Sequence, residues 1–343
     1  MYSFTNDYNE TAHPKLLESL LSQTKQKNSG YGLDDYCQLA TQQIRTLTDS
    51  PKSAVHFLPG GTITNLTFIS HVLRPYQAVI AASTGHIAVH ETGAIEATGH
   101  KVITVEGVDA KLTPELIKPI LDEHCDEHMV QPKMVYISNT TELGTIYSKQ
   151  ELQRLYQFCQ QHNLYLYLDG ARLAMALTAE ANDLTFKDLA QLTDAFYIGG
   201  TKVGAFAGEA LVINNLNLNQ DFRFTMKQKG AMMAKSWILG LQFLTLLQDD
   251  LYLQLGAHSN KMAKTLQTIF TEHGFTFNIP PKTNQLFVNI PNGLIDDIMQ
   301  NYCVYSFGQP DSEHTCLRFC TAWSTTQDDI NKFQTYFKKL IQK

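Results

Sequence analysis

Short apolar runs alternate with segments of helical periodicity through the first two thirds of the chain. The runs are roughly four to six residues long and several end in glycine. Runs of this length, separated by helices, predict an α/β fold with a mostly parallel sheet covered by helices on both faces. The predicted strands lie at 55–61, 78–83, 101–106, 133–140, 164–172, 194–202 and 209–214, and the predicted helices at 12–28, 34–48, 64–73, 86–99, 149–162 and from about residue 114.

A different pattern begins near residue 219, where a long helical region runs to about residue 273. Shorter strand-like segments follow it, and a helix at 326–341 closes the chain. A chain of 343 residues is long enough for more than one domain. We therefore expect an N-terminal arm and a large α/β domain in residues 1–250, and a small α+β domain in residues 251–343.

The composition is that of a compact globular protein, with 43% hydrophobic and 17% charged residues. The formal charge of −6 and the scattered Lys and Arg residues argue against a nucleic-acid partner. No apolar stretch approaches the roughly 20 residues of a membrane span, and the start of the chain lacks a secretory signal pattern, so we expect a cytoplasmic protein without a membrane partner. The six cysteines include no C-x-x-C pair, and we expect reduced thiols.

Candidate chemistry lies where predicted strands end, because ligands of open α/β sheets bind beyond the carboxyl ends of the strands. The turn Gly60-Gly61-Thr62 joins a strand to a helix, and its free N–H groups could hold a phosphate. The alternative is an ordinary glycine turn with Thr62 or Thr64 as the helix N-cap.

Two charged residues follow other predicted strands. Asp169 ends an apolar run and needs a partner, which could be Arg172, a helix cap or the protonated ring nitrogen of a ligand. Lys202 follows a strand and a glycine turn, where a desolvated amine could form an imine, although a surface lysine is equally compatible. A phosphate turn, an aldehyde-binding lysine and an acid for a pyridine ring are together what pyridoxal 5′-phosphate requires.

Four sequence strings then make a resemblance specific. With these four strings in the same order along the sequence, the chain resembles the threonine aldolases, which belong to the β-eliminating lyases of aspartate-aminotransferase fold. The likeness runs from Asn6 to Arg318. The resemblance implies a type I pyridoxal-phosphate fold with a seven-stranded, mostly parallel sheet and a smaller C-terminal domain. The strings are LPGGTITN, TGHIAVHETGA, LDGARL and GGTKVGAFAG.

The resemblance also implies roles for the matching residues around the cofactor. Lys202 would hold pyridoxal 5′-phosphate as a Schiff base, and Asp169 would pair with the pyridine nitrogen. Gly61 and Thr62 would bind the phosphate, and His86 would stack on the ring.

For the substrate, the resemblance implies that Arg318 binds the carboxylate, a task suited to the planar guanidinium. Arg172 would lie beside the cofactor. Asn6 occupies a position where the family commonly has a serine near the carboxylate.

Two departures from the family pattern concern the substrate hydroxyl. Many members have a histidine after Asn-Thr in the central loop, whereas this chain has Thr141 and then Glu142. His90 stands where an aromatic residue is usual, four positions after His86. Either His90 or Glu142 could take the hydroxyl proton.

His86, His90 and Glu91 also invite interpretation as metal ligands. We expect no metal, because a phosphate turn and an imine lysine already account for this region.

The implied reaction is retro-aldol cleavage of threonine or allo-threonine to glycine and an aldehyde. The alternatives are another lyase reaction on the same cofactor, such as β-elimination or lysis of an aromatic amino acid, and a homologue that binds the cofactor without catalysis. The resemblance implies a homodimer or homotetramer with shared active sites, in which Lys227, Lys229 and Lys235 either contribute a phosphate contact or form a solvated helix face.

Overall fold

The computed structural model describes residues 1–342, and within them the strands form three β-sheets. The helices are α1 (Pro14–Ser22), α2 (Asp35–Leu47), α3 (Gly61–Val72), α4 (His86–Val89), α5 (Pro114–Glu123), α6 (Lys149–Gln161), α7 (Leu173–Leu177), α8 (Phe186–Gln191), α9 (Phe222–Gln228), α10 (Trp237–Leu247), α11 (Leu251–Glu272), α12 (Ile295–Asn301) and α13 (Gln327–Leu340). The strands are β1 (Tyr2–Ser3), β2 (Ala54–Leu58), β3 (Gln77–Ala82), β4 (Val102–Val105), β5 (Gln131–Ser138), β6 (Tyr165–Asp169), β7 (Ala195–Gly199), β8 (Glu209–Ile213), β9 (Thr276–Ile279), β10 (Gln285–Pro291), β11 (Tyr302–Cys303), β12 (Tyr305–Ser306) and β13 (His314–Cys320).

The largest sheet has seven strands in the order β2-β8-β7-β6-β5-β3-β4. β8 runs antiparallel to both of its neighbours, whereas the neighbouring pairs from β7 to β4 are parallel. The crossovers between parallel strands pass through helices, as parallel pairing requires. The predicted fold class, with its seven-stranded and mostly parallel sheet, is therefore confirmed.

Successive residues of the central strands point into two different cores. On β6, Leu166 and Leu168 belong to one hydrophobic cluster, whereas Tyr167 belongs to the other. This alternation follows from the two-residue period of a strand. Both faces are covered by helices, which explains why the strand sequences are almost uniformly apolar.

The C-terminal part of the chain contains a four-stranded sheet in the order β12-β13-β10-β9, which is antiparallel throughout. Helix α13 packs against this sheet and starts with a capping box formed by Thr326 and Asp329. The predicted division of the chain into two domains at residue 250 stays a prediction. Lys343, the last residue of the predicted second domain, lies outside the described residues. Within 1–342, no helix is long and apolar enough to cross a membrane.

The N-terminal arm crosses from the C-terminal sheet to the large sheet. β1 pairs in parallel with β11, and the Phe4 side chain is fully buried in the same hydrophobic cluster as the C-terminal strands. His13 then donates its backbone N–H to the carbonyl of Gly204, close to the predicted lysine turn. The arm therefore places residues 5–12 between the two sheets.

The predicted helix at 86–99 is much shorter in the structure. α4 ends at Val89, because the chain reverses through Thr92 (φ 53°) and Gly93 (φ 71°) in left-handed conformations. A β-branched threonine is unfavourable in that region. The turn nevertheless keeps the two histidines close, with 5.5 Å between the ring centroids of His86 and His90.

Candidate active site

Asp169, at the carboxyl end of β6, lies in a cage of hydroxyl groups. Tyr136 donates to Oδ2 at 2.6 Å, and Tyr197 donates to Oδ1 at 2.5 Å. The backbone N–H of Ala171 also reaches Oδ1 at 2.9 Å. Burial alone would raise the pKa of Asp169, but the nearby His86 and the two tyrosine hydroxyls outweigh it and lower the pKa. The carboxylate is therefore ionised although it is buried.

Strand periodicity explains this cage. Tyr167 and Asp169 are two residues apart on β6, so their side chains point to the same face of the sheet. Tyr136 pairs directly with Tyr167 on the adjacent strand β5. The tyrosines and the carboxylate therefore face α3, which supplies Asn65 to the same cluster.

Lys202 lies in the turn between β7 and β8, and the Glu209 side chain stabilises this turn by two hydrogen bonds. Glu209 accepts the N–H of Gly200 at 2.9 Å and the hydroxyl of Thr201 at 2.8 Å. Burial raises the pKa of Glu209 to about 7. These two contacts hold the two residues that directly precede Lys202.

The Lys202 side chain is half-buried, and its Nζ atom lies 5.7 Å from the centroid of the Tyr8 ring. Burial, together with the nearby Arg172 guanidinium, lowers the pKa of Lys202. The salt bridges formed by residues 1–342 do not include this amine. A lysine in this state has a larger unprotonated fraction and can act as a nucleophile.

Arg172 pairs with Asp7 of the N-terminal arm, which corrects one of the alternatives considered for Asp169. Nε and Nη2 of Arg172 donate to the two Asp7 oxygens at 2.7 and 3.0 Å, and Asn284 donates to Oδ2 at 2.9 Å. Burial opposes ionisation, but Arg172 and Lys202 hold the pKa of Asp7 at about 2. The buried pair is well satisfied and ties the arm to α7.

Arg318 extends from β13 toward the same arm. Nη2 donates to the carbonyl of Thr5 at 2.9 Å, and the guanidinium lies 5.2 Å from the Tyr305 ring centroid. Its buried Nε atom has no hydrogen-bond partner among residues 1–342. Asn6, the next residue of the arm, accepts the backbone N–H of Tyr8 at 3.1 Å. The free donor of Arg318 suits a ligand carboxylate.

The two candidate bases have different surroundings. Oε1 of Glu142 accepts the N–H of His86 at 2.9 Å and the hydroxyl of Ser138 at 2.8 Å, and burial raises the pKa of Glu142. For His90, burial lowers the pKa, with further contributions from His86 and from the cations Arg318, Lys202 and Arg172. The positive charges of the site therefore favour the neutral form of His90.

The predicted phosphate turn opens α3. Gly61 and the exposed Thr62 form the first turn of this 12-residue helix, whose N–H groups lack helical acceptors. A Cβ atom at Gly61 would lie 3.2 Å from the Tyr197 hydroxyl. Gly170, after Asp169, allows a still closer approach, because a Cβ there would overlap the Tyr197 carbonyl at 1.9 Å. Only glycine permits this contact between β6 and β7.

These residues fit pyridoxal phosphate. The group needs an amine for its aldehyde, an ionised acid for its ring nitrogen and N–H donors for its phosphate. Lys202, Asp169 and the first turn of α3 present these groups at the carboxyl edge of one sheet. The fold and the site together define a pyridoxal-phosphate-dependent enzyme.

The chain belongs to the beta-eliminating lyase family, whose sequence model matches residues 11–292. It is therefore a lyase, and the predicted family and cofactor are confirmed. A solved structure of Leishmania major threonine aldolase is 47% identical, with a TM-score of 0.98, and the match covers 99% of this chain and 100% of that one. The low specificity L-threonine aldolase of Pseudomonas aeruginosa is 28% identical over 337 residues, 96% of this chain and 95% of that protein. A Thermus thermophilus aspartate aminotransferase mutant, 13% identical over 99% of this chain and 91% of that one, shares the fold with a TM-score of 0.73.

Several residues of the site escape sequence reasoning. Asp7 and Asn65 each contact a predicted site residue, and so do the caging tyrosines Tyr136 and Tyr197. Glu209 bonds to the two residues before Lys202. The tyrosines look like ordinary core residues of apolar strands, and Asn65 looks like a polar position within a helix. A usable signal existed only for Asp7 and Glu209, which are carboxylates close in sequence to residues already singled out.

Proposed function

We propose that this chain cleaves β-hydroxy-α-amino acids, L-threonine and L-allo-threonine among them, to glycine and an aldehyde. The observation that carries the proposal is the full-length similarity to threonine aldolases. It is supported by a site in which an unpaired amine, a caged carboxylate and a guanidinium with a free donor lie together. The alternative lyase reactions lack a comparable observation.

The proposed roles follow from the contacts. When bound, pyridoxal phosphate supplies an aldehyde for amines and an electron-accepting pyridine ring. Lys202 would supply the amine, because its lowered pKa favours the nucleophilic form. Asp169 would hold a proton on the ring nitrogen, and the tyrosine hydroxyls keep this carboxylate ionised. His86 would cover the ring face, and Gly61 with Thr62 would bind the phosphate through the start of α3.

The substrate carboxylate would bind Arg318 through the unpaired Nε, with Asn6 beside it and Arg172 lining the site. This contact orients the amino acid so that the bond between Cα and Cβ is the one that breaks. Removal of the proton from the β-hydroxyl drives the cleavage and releases the aldehyde. Cα then takes up a proton, and glycine results.

The direct test is product analysis with purified protein and added cofactor. L-Threonine and L-allo-threonine are expected to give equal amounts of glycine and acetaldehyde, whereas D-threonine serves as a stereochemical control. A 2-oxo acid with ammonia would mean β-elimination and would reject the proposal. Bound cofactor without any product would mean a binding protein and would reject it as well.

We also propose that His90 takes the hydroxyl proton. The His90 ring lies next to that of His86, with 5.5 Å between the ring centroids, and its lowered pKa favours the neutral, basic form near pH 7. Glu142 instead supports the loop through its bonds to His86 and Ser138. Glu142 therefore serves as the comparison position.

Replacing His90 by asparagine is expected to lower kcat for threonine cleavage by roughly 10²- to 10⁴-fold, the usual contribution of general base catalysis. Neutral histidine is the base, so the wild-type rate should fall as pH drops through a pKa below 6.5, and H90N should lose this acid limb. Glu142→Gln keeps an oxygen acceptor and should reduce kcat only a few-fold. A larger loss in E142Q than in H90N would assign the proton transfer to Glu142.

The proposed assembly is a homodimer or homotetramer with shared active sites. Lys227 lies 4.5 Å from the Tyr31 ring centroid, and Lys229 and Lys235 follow it in the chain. Tyr31 and Phe224 expose 42% and 78% of their surface, which is unusual for aromatic side chains and supports an interface in this region. In such an assembly, these lysines would reach the phosphate of a neighbouring subunit.

A further inference from the structure

Glu91 is a buried carboxylate with an incomplete set of partners. Its side chain has no solvent exposure, and the salt bridges formed by residues 1–342 connect it only to His86. Oε1 accepts from Nδ1 of His86 at 2.8 Å, whereas Oε2 is buried without a hydrogen-bond partner among these residues. An ionised group is costly to bury, so a side chain held in this way needs a reason to be there.

The contact determines which nitrogen of His86 carries a proton. A carboxylate can only accept hydrogen bonds, so the His86 nitrogen that faces it, Nδ1, must be the donor. In the neutral imidazole the other nitrogen, Nε2, is then unprotonated. The same arrangement of carboxylate and histidine fixes tautomers at metal sites and in hydrolases.

Asn65 holds Glu91 in place. Its Nδ2 atom donates to Glu91 Oε1 at 2.8 Å and to Asp169 Oδ2 at 3.1 Å. Its Oδ1 atom accepts from the Tyr167 hydroxyl at 3.0 Å. Two carboxylates on the nitrogen side and a hydroxyl on the oxygen side leave the amide one orientation. One amide therefore bridges two buried acids that would otherwise repel each other.

The backbone directly after Glu91 is strained. Thr92 has a φ of 53°, in a region that β-branched residues rarely adopt, and Gly93 follows with a φ of 71°. Strain of this kind is concentrated at functional sites and persists only when the surrounding structure imposes it. Here it reverses the chain directly after Glu91, whose Oε1 atom lies 2.8 Å from Nδ1 of His86.

We infer that Glu91, held by Asn65, is the positioning residue for His86 and fixes it as the Nδ1–H tautomer with Nε2 free. Through Asn65, the same hydrogen-bonded chain joins His86 to Asp169. The two groups proposed to contact the cofactor ring, one on its face and one at its nitrogen, are thus held by a single buried network. In its consequences for catalysis, this inference rests on the proposed function, whereas the tautomer itself does not.

The test compares Glu91→Gln with Glu91→Met. Glutamine keeps an oxygen at the Oε1 position, and the Asn65 donor holds that oxygen toward His86. Methionine removes the acceptor and is tolerated in place of a buried charge. The Nδ1 and Nε2 signals of His86 are measured by ¹⁵N NMR in histidine-labelled protein at about pH 9, where imidazole is neutral. The signals are identified by their loss in His86→Gln.

Wild type and E91Q are expected to show Nδ1 protonated and Nε2 unprotonated, whereas E91M should show a mixture of the two tautomers. The role of Asn65 is tested in the double variant Asn65→Ala with Glu91→Gln, in which the free glutamine amide should also give a mixture. A wild-type pattern in E91M would overturn the inference. A wild-type pattern in the double variant would remove Asn65 from it.

Activity provides a second readout that separates this inference from the proposed function. With threonine, kcat should fall by about 10- to 100-fold in E91M and only a few-fold in E91Q, in line with the usual loss when a supporting hydrogen bond to a histidine is removed. Equal activity of E91M and wild type would overturn the positioning role. If wild type cleaves no β-hydroxy amino acid, the proposed function fails, yet the NMR comparison still decides the tautomer.

Discussion

Alanine in place of Lys202 is expected to abolish threonine cleavage, with a loss of at least about 10⁴-fold in kcat, because no other amine can take its place. The visible absorbance band of the bound cofactor should disappear or shift in the same variant. Borohydride treatment of wild type followed by digestion should leave the cofactor on the peptide that contains Lys202. This prediction has the largest expected effect, because the reaction has no route around the residue.

Two controls make the Lys202 result specific. Lys202→Arg keeps a cation but cannot supply an unprotonated amine, so it should be as inactive as K202A. Lys264→Ala removes a lysine from α11 whose side chain is 67% exposed, and it should behave as wild type. Substantial activity in K202A, or the label on another lysine, would refute the assignment.

Asparagine in place of Asp169 is expected to reduce kcat by about 10³-fold or more, equivalent to about 4 kcal/mol of transition-state stabilisation. Asparagine has nearly the same shape and can still accept from one of the two tyrosines, so the fold should be kept. It carries no negative charge, however, and cannot keep the ring nitrogen protonated. Steady-state kinetics and the cofactor absorbance spectrum measure the two consequences.

Asp194 provides a matched control for removing a buried carboxylate from the same sheet. It accepts the N–H of Leu166 at 2.9 Å, near the opposite end of β6 from Asp169. Asp194→Asn should alter thermal stability and leave kcat within a few-fold of wild type. If D169N keeps wild-type turnover, Asp169 has no part in drawing electrons into the ring.

The parts of the site that can be predicted from sequence are those that follow strands. Lys202 and Asp169 stand out because each is a charged residue that follows an apolar run. The glycine turn before Thr62 stands out because it also follows such a run. The order of strands in the sheet cannot be predicted in this way, because no local pattern encodes the pairing of β8 with the distant strand β2. The antiparallel direction of β8 follows from its short connection to β7 through the lysine turn.

The contacts that support the site cannot be predicted from the sequence for a physical reason. Asn65 and Glu91 bond to each other across 26 positions of sequence, and Asn65 bonds to Asp169 across 104. A helical pattern cannot reveal them, because it reports which face is buried and not which polar groups meet there. The broken helix after Val89 has a similar cause, since the strain at Thr92 is imposed by tertiary contacts.

The N-terminal arm also determines when the site is completed during synthesis. Thr5 accepts from Arg318, the Phe4 carbonyl accepts from the N–H of Cys320, and β1 pairs with β11. A nascent chain on the ribosome can therefore have Lys202 and Asp169 in a formed sheet while residues 2–5 still lack the strand against which they dock. Contacts over such sequence distances form late. The pocket around Arg318 can therefore be completed only after about residue 320 has been made and residues 2–5 have docked against it.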